Sequence, residues 1–207
     1  MSKSALIIVD LQPDFMPGGP LAVPKGDTLV EQVNQIMHRF DVVVATQDWH
    51  PPGHASFASA RECKPFDVLT DHNGNQQVLW PDHCVQGTPG AALHPDLNLN
   101  RVDLILRKGM GLYTDSYSAF IENYNPLGIR KLTGLDGYLH AKEVSEVYVC
   151  GLALDYCVKW TAVDASRLGF KTKVIEDLAL PVDPANLVPT FEEFQLERVT
   201  TTLSIIV

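Results

Sequence analysis

The sequence predicts a doubly wound α/β fold, in which helices cover both faces of a six-stranded parallel sheet. Unbroken apolar runs are typical of strands that are buried on both faces. These runs alternate along the chain with segments of helical periodicity, as in parallel α/β sheets. The chain has 207 residues, of which 45% are apolar and 20% charged. This composition indicates one globular domain over 1–207 and excludes a disordered or collagen-like protein.

The first predicted elements are a strand and a helix joined by a turn-rich segment. The apolar run over 5–9 is a buried strand that ends at Asp10. A Pro/Gly stretch follows over 13–24. Asp27 can then cap a helix over 29–40, because the apolar residues of that segment fall on one stripe.

The second and third strands enclose a long region with little periodicity. Residues 42–46 form a second apolar run, and 102–106 form a third that leads to Lys108. The intervening region, 49–100, is rich in Pro, Gly, His and Asn. A loop region of this length is unusual in a compact domain and is often functional. We therefore expect it to carry a metal or substrate site.

Strand and helix alternate more regularly in the second half of the chain. The pattern predicts a helix over 135–142 and a strand over 147–150 that ends at Gly151. Asp155 can cap the next helix, whose apolar face extends over 158–168. The remaining predicted elements are a strand over 171–175, helical segments around 183–187 and 189–197, and a closing strand over 202–207.

Charge and cysteine content narrow the classes of function. The formal charge of −9 argues against nucleic acid or an anionic membrane as the main partner. The start of the chain does not resemble a secretory signal, and no apolar run approaches ~18 residues, so we expect a cytoplasmic protein with reduced thiols. The cysteines include no CxxC pair and so predict no zinc ribbon; they are Cys63, Cys84, Cys150 and Cys157.

Three predicted strand ends carry a carboxylate, an amine and a thiol. Ligands of such folds bind beyond the carboxyl ends of the strands. Asp10 and Lys108 end two strands, and Cys157 lies in the first turn of the helix after a third, where the helix dipole lowers a thiol pKa. Together they would form an activated nucleophile. Taken singly, they could equally be a structural cap, a surface lysine and a packed thiol.

Asp48 and His50 suggest a metal site. Side chains two residues apart in an extended segment point the same way, so both can reach one ion. His83 could supply a third ligand, which would leave positions open for substrate or water. His54 is a further candidate, although it could instead form hydrogen bonds within the loop. The histidines expected at the surface are His38, His72, His94 and His140.

The motifs around these residues resemble those of the isochorismatase-like cysteine hydrolases. Asp10 in IIVDLQPDF, Lys108 in LRKG and Cys157 in GLALDYCV match that family in order, spacing and strand-end placement. The segments TQDWHPPGHASF and LWPDHCVQGTPGAALHP resemble the nicotinamidase branch of the family. The resemblance extends from about Ala5 to the last strand, and it implies the isochorismatase-like hydrolase fold.

The resemblance also implies roles for the candidate residues. It makes the three strand-end residues a catalytic triad. It implies one divalent metal ion, which for mixed nitrogen and oxygen ligands can be zinc, iron or manganese. The implied ligands are Asp48, His50 and His83, and His54 is carried over only as an optional fourth.

An oxyanion hole and a ring pocket are implied as well. In the family, backbone N–H groups at the positions of Ala153 and Cys157 hold the oxyanion, and the peptide bond that precedes the Ala153 position is cis. The stretch 62–77 is the part of this chain that least resembles the family. The aromatic residues at positions that match the walls of the ring pocket are Phe15, Trp80 and Tyr113.

The activity implied is hydrolysis of nicotinamide, and also of pyrazinamide, through a cysteine thioester with a metal that positions the pyridine ring, as in NAD salvage. Other readings stay open. A related amidohydrolase could act on another small amide or ureido compound, whereas a metal-free isochorismatase would not need the metal ligands. A non-catalytic metabolite-binding protein should lack a triad residue. A zinc hydrolase that attacks with metal hydroxide should not need Cys157.

Overall fold

The computed structural model describes residues 3–70 and 74–205. His72, expected at the surface, lies outside the described residues, and so do 206–207 at the end of the predicted closing strand. The strands are β1 (Lys3–Val9), β2 (Val42–Asp48), β3 (Val68–Thr70), β4 (Gln76–Val78), β5 (Leu104–Lys108), β6 (Val144–Leu152), β7 (Lys171–Leu180) and β8 (Thr200–Thr202). The α-helices are α1 (Leu29–Ile36), α2 (Leu135–Ala141), α3 (Lys159–Arg167) and α4 (Leu187–Leu196).

A six-stranded sheet in the order β5-β2-β1-β6-β7-β8 forms the centre of the fold. Its neighbouring strands all pair in parallel, so the predicted fold class is confirmed. The unbroken apolar run of β1 is explained by its central position, because residues 5–9 are fully buried. The carboxyl ends of β1, β2, β5 and β6 lie at one edge of this parallel sheet, where the candidate site residues follow.

The two faces of the sheet carry separate hydrophobic cores. Alternate side chains of β1 point to opposite faces: Ile7 packs in a core with α2, α3 and α4, and Ile8 packs in a core with α1. The apolar stripe predicted over 29–40 forms α1, followed by a 3₁₀ turn at Met37–Arg39. In the described part of the chain, no helix is sufficiently long and apolar to span a bilayer.

Two helix-capping predictions were wrong. Asp27 lies inside a 3₁₀ turn and makes no side-chain cap. Asp155 lies in a turn of π-helix over 154–158, which precedes α3. Its carboxylate instead accepts hydrogen bonds from the backbone N–H groups of Val182 (2.9 Å) and Asp183 (3.1 Å). Asp155 thus anchors the loop after β7 beside the turn that carries the candidate nucleophile.

The closing strand lies earlier in the chain than the predicted 202–207. β8 spans Thr200–Thr202, so Thr202 is the one described residue of the predicted strand that it contains, and residues 203–205 leave the sheet. Ser204 donates its backbone N–H to the Asp177 carboxylate (2.8 Å), and its hydroxyl bonds to the same carboxylate. After β8, the chain is therefore held by the Asp177 side chain and not by pairing with a strand. An apolar sequence pattern does not reveal such a contact.

The long region over 49–100 contains the small antiparallel hairpin β3–β4, in which Val68 pairs with Val78. All of this hairpin except Val78 falls in the stretch 62–77, the part of the chain that least resembles the family. The rest of the region is mostly turns and 3₁₀ segments, yet it is anchored by fully buried side chains such as Phe57 and Leu79. These buried side chains therefore hold the region in place over the carboxyl edge of the sheet.

Candidate active site

Lys108, at the end of β5, is the centre of a buried polar cluster. Its Nζ lies 2.8 Å from Asp10 Oδ2 and 2.5 Å from Asp48 Oδ1. The same atom donates to the Ser116 carbonyl oxygen (3.0 Å) and lies 3.4 Å from Cys157 Sγ. Burial lowers the pKa of Lys108, but the two carboxylates outweigh that effect and hold its pKa well above the ordinary value. The amine is therefore a permanent cation between two acids.

Asp10 follows β1 and is fully buried. Its Oδ1 accepts a hydrogen bond from the Thr46 hydroxyl (2.6 Å), which fixes the carboxylate toward Lys108. Burial raises the pKa of Asp10; Lys108 opposes this effect, and the nearby Asp48 adds to it, so the net pKa is raised. Asp10 is consequently more basic than an ordinary aspartate, which suits a group that must accept a proton.

Cys157 lies in the π-helical turn between β6 and α3, with 7% of its surface exposed. Its Sγ lies within 4.8 Å of carboxylate oxygens of Asp10 and Asp48. The expectation of a lowered thiol pKa was wrong, because burial raises the pKa of Cys157 well above its ordinary value; Lys108 opposes the shift, while Asp10 adds to it. The resting group is a thiol, so a neighbouring base must remove its proton.

The peptide bond Leu152–Ala153 is cis, as the resemblance implied. The Ala153 carbonyl oxygen accepts hydrogen bonds from the N–H groups of Tyr156 (3.1 Å) and Val158 (3.0 Å), which close the turn around Cys157. Ala153 and Cys157 both line one small cavity. The two predicted oxyanion donors thus belong to residues of the same compact turn.

The three predicted metal ligands converge. Asp48 Oδ2 lies 3.3 Å from His50 Nε2 and 3.7 Å from His83 Nε2. The Nδ1 atoms of these rings lie 2.9 Å from the Gly109 carbonyl and 2.8 Å from the Pro81 carbonyl. Because a carbonyl oxygen only accepts, each Nδ1 carries a proton, and each Nε2 is the ring atom that faces the carboxylate. Two imidazole nitrogens and a carboxylate around one point suit a divalent cation.

His54 is buried beside this group. Its ring stacks on His50 with centroids 4.3 Å apart. Its Nδ1 lies 2.7 Å from the Ser56 hydroxyl, and its Nε2 lies 3.3 Å from the Thr114 carbonyl. A ligand atom of His54 falls within 4.8 Å of those of His50 and Asp115, a group that does not include Asp48 or His83. The structure therefore shows the loop hydrogen bonds that the sequence offered as its alternative role.

A cavity of about 20 Å³ lies between the thiol and the metal-ligand group. Phe15 and Trp80 line it, as the resemblance implied. Tyr113 does not, and this prediction was wrong: its side chain is 67% exposed, in the turn where Gly111 and Thr114 form a bridge. That turn directs residue 113 away from the cavity, into a neighbouring open cleft.

The sequence matches the isochorismatase domain over residues 4–202. The chain belongs to the isochorismatase family. A nicotinamidase of Acinetobacter baylyi is 49% identical over 183 residues, which cover 88% of this chain and 83% of that protein.

Solved structures of the family resemble this fold closely. A nicotinamidase/pyrazinamidase of Acinetobacter baumanii has a TM-score of 0.92 at 45% identity and covers 99% of this chain and 98% of its own. PnC1 of L. infantum, in complex with nicotinate, has a TM-score of 0.83 at 40% identity (98% and 93% covered). The pyrazinamidase of Pyrococcus horikoshii, in complex with zinc, has a TM-score of 0.77 at 34% identity (97% and 99% covered).

Sequence reasoning missed two aromatic residues of this family member's cavity, Tyr117 and Tyr156. The Trp80 indole N–H donates to the Tyr117 hydroxyl (3.2 Å), and its ring packs edge-on against Tyr156 with centroids 4.7 Å apart. One signal was available, since Tyr156 directly precedes Cys157. For Tyr117 the sequence offered two tyrosines four residues apart, and the direction of the turn between them decides which one faces inward.

The other described histidines and cysteines lie outside the candidate site. His38 and His140 are exposed and His94 is partly exposed, as expected. Cys84 and Cys150 are buried and Cys63 is partly exposed, and each is a free thiol.

Proposed function

We propose that this chain is a nicotinamidase that hydrolyses nicotinamide to nicotinate and ammonia and also accepts pyrazinamide. One observation carries the proposal: a buried Asp10–Lys108–Cys157 cluster presents Cys157 to a small aromatic-walled cavity that Asp48 and His83 also line. Relatives that carry the name nicotinamidase, at up to 49% identity over most of the chain, support it. The reaction belongs to NAD salvage.

The donor set of Asp48, His50 and His83 fits a divalent metal. Both imidazoles are oriented by backbone carbonyls, as metal-ligating histidines usually are. Mixed nitrogen and oxygen ligands accept zinc, iron or manganese, and the Pyrococcus horikoshii relative was solved with zinc. When bound here, the ion would supply a positive centre that orients the pyridine nitrogen of the substrate.

The first half of the reaction uses the triad. Asp10 takes the proton of the Cys157 thiol, and the thiolate attacks the carboxamide carbon, so that a C–S bond forms. Lys108 stays protonated and stabilises the negative charges of the thiolate and the carboxylate. Backbone N–H groups of Ala153 and Cys157 hold the oxyanion, and each such donor is typically worth ~3 kcal/mol. Asp10 then gives its proton to the departing nitrogen, the C–N bond breaks, and ammonia leaves.

The second half releases the acid. Asp10 accepts a proton from water as the water oxygen attacks the thioester carbon. The C–S bond breaks, the thiolate recovers the proton from Asp10, and the product leaves as nicotinate once its remaining water-derived proton has passed to solvent. The raised pKa of Asp10 lets one carboxylate act as base and acid in both halves. The walls that would hold the ring through these steps are Phe15, Trp80, Tyr117 and Tyr156.

The test is ammonia release from nicotinamide by metal-replete protein. We expect turnover by the unchanged chain and its loss in Cys157→Ala. Cys150→Ala is the matched control, because Cys150 is buried within β6 and takes no part in the mechanism. Near-normal turnover by Cys157→Ala would contradict the thioester route and favour attack by metal hydroxide. If the unchanged chain released no ammonia, another small amide or ureido compound would be the substrate.

The proposed nucleophile also bears on location and partners. A mechanism that depends on a free thiol suits a reducing compartment, so we infer that the enzyme acts in the cytoplasm. Its proposed partner is the small-molecule amide, and neither nucleic acid nor membrane is required.

A further inference from the structure

The β3–β4 hairpin reaches the active-site cavity through the side chain of Gln77. The Gln77 Nε2 lies 2.9 Å from Asp115 Oδ2, 3.2 Å from the Tyr117 hydroxyl and 2.8 Å from the Val78 carbonyl oxygen. A carboxylate and a carbonyl can only accept hydrogen bonds, so the amide nitrogen, and not its oxygen, must face them. Gln77 is thus a donor placed among three acceptors.

The Tyr117 hydroxyl joins this donor to the cavity wall. Its oxygen accepts from Gln77 and also from the Trp80 indole N–H (3.2 Å). Burial raises the pKa of Tyr117 well above its ordinary value, with a further contribution from Asp115, so the hydroxyl stays neutral. The Gln77 amide therefore supports a hydroxyl on which two aromatic walls of the cavity depend.

The cavity bounded by this wall is small in the structure. A volume of about 20 Å³ holds little more than one water molecule, whereas nicotinamide has nine non-hydrogen atoms. A larger cleft of about 590 Å³ adjoins the cavity, and Asp115 and Tyr117 line both spaces. These two Gln77 partners thus form the partition between the cleft and the site.

The first strand of the hairpin that carries Gln77 lies at the surface. All three residues of β3 are exposed, and Val68 is 52% exposed. Segments with little buried apolar surface open more easily than the core of a protein. The hydrogen bonds of Gln77 to Asp115 and Tyr117 then act together with Val78, which packs against the core, to hold the hairpin against the partition.

Resting on the proposed function, we propose that Gln77 is a positioning residue that holds the Tyr117–Trp80 wall closed on the bound ring and so sets the affinity for the amide substrate. Gln77 acts through Tyr117 and Asp115 and takes no part in proton transfer, because the contacts of Lys108 join Asp10, Asp48 and Cys157 without it. Its loss should weaken binding far more than it slows the chemical steps.

Gln77→Leu tests the proposal by removing the donor at similar size. We expect KM for nicotinamide to rise about tenfold, the effect of losing one hydrogen bond to a charged group, while kcat stays within about threefold. Gln76→Leu is the matched control, since successive side chains of a strand point to opposite faces and Gln76 is exposed. Gln77→Asn keeps the amide but withdraws it from both partners, and should raise KM likewise.

A double-mutant cycle shows whether Gln77 acts through the hydroxyl. If it does, Tyr117→Phe and Gln77→Leu each raise KM, and the double variant raises it by less than the product of the two single effects. Thermal unfolding of each variant checks the fold. Unchanged KM in folded Gln77→Leu or Gln77→Asn, or a loss confined to kcat, would overturn this inference while the proposed function stands. Absence of turnover by the unchanged chain would overturn both.

Discussion

Among the individual residues, Lys108 decides the electrostatics of the site. Two carboxylates, Asp10 and Asp48, are buried within 2.8 Å of its amine, and such charges are tolerated only when they are paired. Asp48 is shared: one oxygen faces Lys108 and the other faces the histidines of the proposed metal site. Burial raises the pKa of Asp48, but Lys108 and His50 lower it by more than burial raises it. The net pKa is well below the ordinary value, so the group remains a carboxylate. The proposed triad and the proposed metal ligands are therefore one electrostatic unit.

Gly109 shows how a residue without a side chain serves this unit. It follows Lys108 with φ +64°, and a Cβ there would overlap the His50 ring, while its carbonyl orients His50 Nδ1. Gly109→Ala should displace the ring and lower metal content and turnover at least tenfold. Elemental analysis and ammonia release measure this. Gly53→Ala is the control, because Gly53 has a similar φ of +73° with open space around it, so only backbone strain of about 1–2 kcal/mol is shared; equal metal content in both variants would contradict the prediction.

Residue identities at strand ends were predictable, but their environments were not. Asp10, Lys108 and Cys157 each follow an apolar run, and a parallel sheet gathers the ends of its strands at one edge. The thiol pKa was mispredicted because the depth of burial and the second carboxylate, Asp48, depend on packing across the sheet. Tyr113 was predicted as a wall of the cavity and Tyr117 was missed, because a one-dimensional pattern does not show which way a turn faces.

At the scale of elements, the end of β6 determines where the nucleophile lies. The sequence predicted that this strand stops at Gly151, but it continues to Leu152, and its pairing with β7 shifts between Val149 and Gly151. β7 pairs on both sides of that shift, which explains why it extends to Leu180 and not only to 175. Irregular pairing of this kind has no periodic signature, so strand existence was predictable and strand length was not.

Gly151 permits the close approach of β1 and β6 at that irregularity. Its φ is +112°, and a Cβ would overlap the backbone of Val9, one residue before Asp10. Gly151→Ala should force the two strands apart and destabilise the protein by about 3 kcal/mol or more, the cost of overpacking plus backbone strain. Urea unfolding measures the loss. Gly169→Ala, with φ +94° and no atom near the new methyl group, should cost only about 1–2 kcal/mol; equal losses would show that crowding against Val9 is unimportant.

For the whole molecule, the fold class could be predicted from the sequence because successive residues of each central strand pack into opposite hydrophobic cores. Odd and even positions of β1 serve opposite faces, so a strand must be apolar throughout, and the helices then need only one apolar stripe each. The structure of the region over 49–100 could not be predicted in this way. It is held by buried side chains, by backbone hydrogen bonds such as Ala58 N–H to the Trp80 carbonyl (2.8 Å), and by the hairpin, none of which has a period to detect.

This division between sheet and loops predicts how the protein responds to loss of metal. The hydrophobic cores lie on the two faces of the sheet, whereas the three proposed ligands lie at the end of β2 and in the region over 49–100. Chelation should therefore abolish ammonia release and lower the thermal midpoint, because a ligand that binds only the folded state stabilises it by mass action, yet leave the far-ultraviolet circular dichroism unchanged. Added zinc, iron or manganese should restore turnover and raise the midpoint. Unfolding on chelation would assign the metal a structural role, and full turnover in chelator would remove it from the reaction; either result would contradict the prediction.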